Sequence, residues 1–99
     1  MDVKLVNRGT TGELLLNGRL TSANAADVEK IFTDVAARFQ TVILNLSGLE
    51  YTASSGLRII LRLQQTMTKK GGALQIKEAS PMVMEVLEMT GMASYLTFI

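Results

Sequence analysis

Ser54, Ser55 and Gly56 lie between two runs of different periodicity. Val42-Ile43-Leu44 reads as a strand buried on both faces, whereas Leu57-Arg58-Ile59-Ile60-Leu61-Arg62-Leu63 has helical spacing. The two hydroxyls therefore stand at a helix start near Ser54 or Ser55, where the first backbone amides have no intrahelical partner. Two chemistries are open there. One is ordinary N-capping by a serine oxygen, contributing about 0.5–2 kcal/mol. The other is acceptance of a phosphoryl group, because open amides and the helix dipole favour negative charge at this end. A phosphate adds about −1.5 to −2 charges at pH 7. A partner packed on the free hydroxyl would then face a dianion it must desolvate, and it would let go. Arg58, four residues after Ser54, either reaches back toward such a phosphate or belongs to a solvated helix face.

Most other chemistry is excluded by composition. Histidine and cysteine are both absent, which removes disulfides, thiolate nucleophiles, Cys/His zinc sites and any imidazole base. No metal or cofactor is expected, and a free-standing enzyme has no nucleophile paired with a base. Asp27, Glu29, Asp34, Glu85 and Glu88 fall on expected exposed helix faces. Gly48, Gly56, Gly71 and Gly72 match neither a P-loop nor a dinucleotide fingerprint. A net charge of +1, with Lys69-Lys70 only a pair, provides no field for nucleic acid, and two tyrosines and three phenylalanines form no stacking ladder. No apolar run approaches the roughly 20 residues that span a bilayer. Met1-Asp2-Val3-Lys4 runs straight into an alternating strand, so no signal peptide is expected and the cytoplasm is the default compartment. Met82 and Met89, seven apart on one flank of a helix, read as the margin of a core or as an adaptable surface.

Around the serines the pattern calls for a single domain over 1–99. Residues 2–7 and 13–18 form strands joined by the glycine-flanked turn at 8–12. Thr21, Ser22, Ala23 and Asn24 offer N-caps for a helix to about Phe39, with Val28, Ile31, Phe32, Val35 and Phe39 on its apolar face. A strand follows at 41–46. The serine helix ends at Lys70 before Gly71-Gly72, with Leu57, Ile60, Leu61 and Met67 inward and Arg58, Arg62, Gln65 and Lys69 outward. Ala73–Lys77 alternates as a strand. Ser80-Pro81 opens a third helix burying Val83, Val86 and Leu87, Gly91 ends it, and a short strand occupies 95–98. The order β-β-α-β-α-β-α-β implies an α/β fold with a mixed, mostly parallel sheet, an N-terminal hairpin and three main helices.

With these elements in place, the chain resembles the STAS domain family, whose founding members are the anti-sigma factor antagonists of bacteria. The resemblance rests on Leu16-Asn17-Gly18-Arg19-Leu20, on Val42 to Ser47, and above all on Ser54-Ser55-Gly56-Leu57. It implies that Ser54 is the phosphoacceptor, with Ser55 the second choice. It also implies that Thr21, Ser22, Thr52, Ala53, Ser54, Ser55, Gly56 and Arg58 meet a partner. That partner would be an anti-sigma factor serine kinase with a histidine-kinase-like ATPase fold, which holds the ATP and magnesium. A phosphatase would reset the cycle. The chain departs from the family where acidic residues are usual: Ala53 precedes the acceptor, Asn45 stands in the strand and Thr21 follows Leu20. All three changes remove negative charge expected around the site, at positions read as lying outside the core. The family also contains constitutive scaffold subunits of lipid-transporting ABC complexes, the alternative for a domain that docks without being phosphorylated.

Overall fold

The computed structural model describes residues 1–99. Its elements follow the expected order: β1 (Asp2–Arg8), β2 (Thr11–Leu20), α1 (Ala25–Arg38), β3 (Thr41–Thr52), α2 (Ser54–Lys69), β4 (Ala73–Lys77), α3 (Pro81–Met89), a 3₁₀ turn (Met92–Tyr95) and β5 (Thr97–Phe98). β1 and β2 are antiparallel, and β2, β3, β4 and β5 run parallel in the spatial order β1-β2-β3-β4-β5.

That monotonic order has a consequence. Right-handed crossovers that always step in one direction place every helix on the same face of the sheet. Burial follows this rule. Leu14, Leu16, Val42, Leu44, Leu46, Leu74 and Ile76 are buried under the helices, while Leu15, Ile43, Gln75 and Lys77, in register between them, are only half-buried on the open face. Phe32, Val35, Ile60, Leu63, Met67, Val83 and Leu87 fill the helix side of the core. Ile31, expected inward, is 37% exposed at its margin. Ile59 and Leu63 join Ile60 inside, and Leu61 is half-buried at the edge of the α2 contact arc.

The strands extend beyond their apolar stretches. The hairpin turn is only Gly9-Thr10, with Gly9 at φ 78°. β3 runs six residues past 46 because the stretch from Gly48 to Thr52 still pairs with β2 through two register shifts, between Leu15 and Asn17 and between Gly18 and Arg19. Such bulges break the period-two pattern that marks a strand in sequence. The helix signals at α3 were legible: Ser80 Oγ accepts from Val83 N at 3.2 Å, with Pro81 as the first helical residue. Gly71, at φ 76°, supplies the left-handed stop after α2.

Candidate functional site at the carboxyl ends of β2 and β3

Leu20 and Thr52 are register partners at the ends of adjacent parallel strands, and Ala53 N donates to Leu20 O at 2.8 Å. This pairing brings Thr21-Ser22, which lead into α1, beside Ala53-Ser54, which lead into α2. The first loop is held rigid by Asn24. Its Oδ1 accepts from Thr21 N at 2.9 Å and its Nδ2 donates to Arg19 O at 2.9 Å. Sequence reading offered Asn24 only as a helix cap; it stands at the N-cap of α1, but its side chain ties the loop instead.

Neither serine caps α2. Ala53 occupies the N-cap with extended backbone, and its carbonyl accepts from Gly56 N at 3.0 Å and Leu57 N at 3.2 Å. Ser54 and Ser55 are the first two helical residues, so their amides precede the first closed turn and are free for an external acceptor. The capping alternative fails because Ala53, one residue earlier, already makes the entry. No acidic residue lies in this first turn.

The two hydroxyls differ sharply. Ser54 is exposed and its side chain makes no hydrogen bond within the chain. Ser55 Oγ is buried and has no hydrogen-bond partner. Arg58 is exposed one turn further along, without an ion pair. Ser22 is exposed, and Thr21 and Ala53 are half-buried at the rim. Two residues expected to face a partner lie under the surface. Thr52 is 8% exposed and spends its hydroxyl on Ala53 O at 3.1 Å, and Gly56 is buried. Gly56 is the close-approach point of α2: a Cβ there would collide with Thr52 Oγ1 and stand 2.7 Å from Leu20 Cδ2. Both set the position of Ser54 rather than the surface around it. Arg19 and Tyr51, missed in the sequence, stack at 4.4 Å on the open face at these same strand ends.

Asn45 was misplaced by sequence reasoning. It is 7% exposed, hence a buried position, and lies on the order of 20 Å back along β3 from Thr52. Its Nδ2 donates to Glu13 Oε2 at 3.0 Å, and Arg8 Nε donates to Glu13 Oε1 at 3.1 Å. Glu13 is 4% exposed and has Lys77 Nζ at 4.0 Å. The carboxylate absent at 45 therefore stands next door at 13. The Asn45 amide, ahead of Arg8 and Lys77 and against the opposing effect of burial, holds the Glu13 carboxyl below its ordinary 4.5. A depressed folded-state value stabilises the fold above pH 4.5, and that contribution disappears as the pH falls through it. Asn45→Asp removes the donor and sets two carboxylates together. It should destabilise the protein at pH 7 by about 1–3 kcal/mol in urea unfolding, with the deficit shrinking as the pH falls and the pair takes up a proton. Equal stability of the two proteins at pH 7 would rule this coupling out.

A model of the STAS domain matches residues 3–99. The chain belongs to the STAS domain family. Among curated relatives, BtrV of Bordetella bronchiseptica, provisionally named an anti-sigma factor antagonist, is 35% identical over 80 residues, covering 80% of this chain and 69% of BtrV. An anti-sigma factor antagonist from Mycobacterium paratuberculosis superposes with a TM-score of 0.88 at 17% identity, covering 98% of this chain and 83% of that one. The anti-sigma factor antagonist SpoIIAA in its unphosphorylated form gives 0.79 at 17% identity, covering 99% and 87%. At such identities the structural likeness is one of fold. It matches this STAS domain in its five-stranded, mostly parallel sheet and three helices. No helix is long and apolar enough to cross a membrane.

Proposed function

We propose that this STAS domain is an anti-sigma factor antagonist that works by partner switching in the cytoplasm. Unphosphorylated, it binds an anti-sigma factor through Ser54, Thr21, Ser22, Ala53 and Arg58, and so frees a sigma factor. The anti-sigma factor is a serine kinase of the histidine-kinase-like ATPase type. It transfers a phosphoryl group to Ser54, the complex separates, and a phosphatase restores the hydroxyl. ATP and magnesium belong to the partner; this chain contributes the acceptor oxygen and the amides beside it.

One observation carries the reading: the Ser54 hydroxyl is exposed and unbonded at an uncapped helix start, while the Ser55 oxygen next to it is buried. An in-line phosphoryl transfer needs an acceptor a second active site can reach, which favours Ser54 over Ser55. The name of the 35%-identical relative supports the same role. The test is incubation with the candidate kinase and ATP, followed by mass-spectrometric mapping. Phosphate is expected on Ser54, retained in Ser55→Ala and lost in Ser54→Ala. Absence of phosphate from both serines would end the switch reading.

The lack of any acidic residue in the first turn of α2 favours a second reading, a constitutive scaffold subunit of a lipid-transporting ABC complex. Affinity capture separates the two. Recovery of a kinase-like ATPase supports the switch, and recovery of a permease with its ATPase supports the scaffold.

A further inference from the structure

The carboxyl-terminal half of α2 and the 3₁₀ turn flank an open concavity of about 550 Å³, lined by Leu61, Gln64, Gln65, Thr68, Lys69 and Tyr95. This lies within the size range of small-molecule sites. It begins seven residues beyond Ser54, roughly 10 Å or more along the helix axis. One of its polar atoms has no partner, and two of its side chains stand exposed at its rim. Gln64 Nε2 donates to Thr68 Oγ1 at 3.3 Å, but Gln64 Oε1 is buried without any donor. Buried acceptors without a partner are rare enough to need a cause. Lys69 carries a free ammonium: the ion pairs of the chain are Arg8–Glu13, Arg38–Asp34, Arg62–Glu29 and Lys77–Glu13. Tyr95 forms the opposite wall and is 67% exposed, an unusual loss of aromatic burial.

We propose that this concavity is a binding site for a small aromatic carboxylate that also bears an N–H or O–H donor. The ring packs on Tyr95 and Leu61, the carboxylate meets Lys69, and the donor satisfies Gln64 Oε1. The terminal torsion of a glutamine is soft, so the amide turns to the ligand at little strain. The site shares no residue with the proposed partner surface and does not depend on it.

Indole-3-acetate, which has all three features, is the probe for titration of the ¹⁵N-labelled full chain by NMR. Saturable shifts are expected at Leu61, Gln64, Thr68, Lys69 and Tyr95. Naphthalene-1-acetate lacks the donor and 3-methylindole lacks the carboxylate; each should bind at least fivefold more weakly. Lys69→Ala and Gln64→Leu should each weaken indole-3-acetate about tenfold, with the dispersion of the spectrum reporting that the fold is kept. Arg58→Ala and Ser54→Ala should leave its affinity unchanged, which keeps this test apart from that of the switch. Shifts that do not saturate, shifts centred on another surface, or equal affinity for the three probes would overturn the proposal.

Discussion

Ser54→Asp is expected to leave the protein folded and to lower its affinity for the proposed kinase partner on the order of 100-fold. The two effects separate because the same charge meets different surroundings. Within the free protein the new carboxylate stands at the first helical residue of α2, beside open amides and with no acidic neighbour in the turn. A negative charge there contributes about 0.3–1 kcal/mol in favour of the helix, so the melting temperature should hold or rise slightly. In the proposed complex the carboxylate would be trapped where a neutral hydroxyl packs, at a cost of a few kcal/mol of uncompensated desolvation. At about 1.4 kcal/mol per factor of ten, that range spans roughly two orders of magnitude or more in Kd. Calorimetric titration of the wild-type and variant proteins against the purified partner measures it. Undiminished binding by Ser54→Asp would remove the electrostatic basis of release. Ser55→Ala is the companion control: removing an oxygen that is buried without a partner should leave binding unchanged and stability equal or slightly higher.

Gly56→Val should destabilise the fold by about 3 kcal/mol, the upper part of the range for overpacking a well-packed site. In a domain of this size that is roughly a 12–24 °C fall in melting temperature. Alanine tests the same contact more gently. Its Cβ already meets Thr52 Oγ1 and approaches Leu20 Cδ2 to 2.7 Å, and Leu20 is fully buried, so it has no empty space to move into. Replacing glycine by alanine in a helix gains up to about 1 kcal/mol of propensity. Overpacking of about 1–3 kcal/mol outweighs that gain, so Gly56→Ala should still lose stability. Both variants push the start of α2 away from the end of β2, which should weaken partner binding beyond what unfolding explains at a temperature where each is fully folded. A Gly56→Ala protein as stable as wild type would show that α2 does not depend on this close approach.

Much of the architecture is legible in residue order because short-range physics writes it there. The three-leucine run of β2, the helical spacing after Ser55, the Ser80-Pro81 start of α3 and the glycine stop at 71 each declare themselves within a few residues. Paired hydroxyls before Gly56 at a strand-to-helix change are a local signal as well, but one that ordinary capping shares, and only the family resemblance directs it to phosphorylation of Ser54. What stayed hidden depends on residues far apart in the chain. The second half of β3 reads as a loop until its bulged pairing with β2 is seen. Asn45 reads as a peripheral polar residue, but tertiary pairing places Glu13, 32 residues away, against its amide.

The distinction between Ser54 and Ser55 is of this second kind. Adjacent hydroxyls on one helical turn have equal local chemistry, and only the packing of α2 onto the rest of the domain leaves Ser54 exposed and puts the Ser55 oxygen under the surface. Local sequence specifies which backbone shapes and hydrogen-bonding groups are present. Exposure is a property of the assembled layers, decided by what lies on the far side of each side chain.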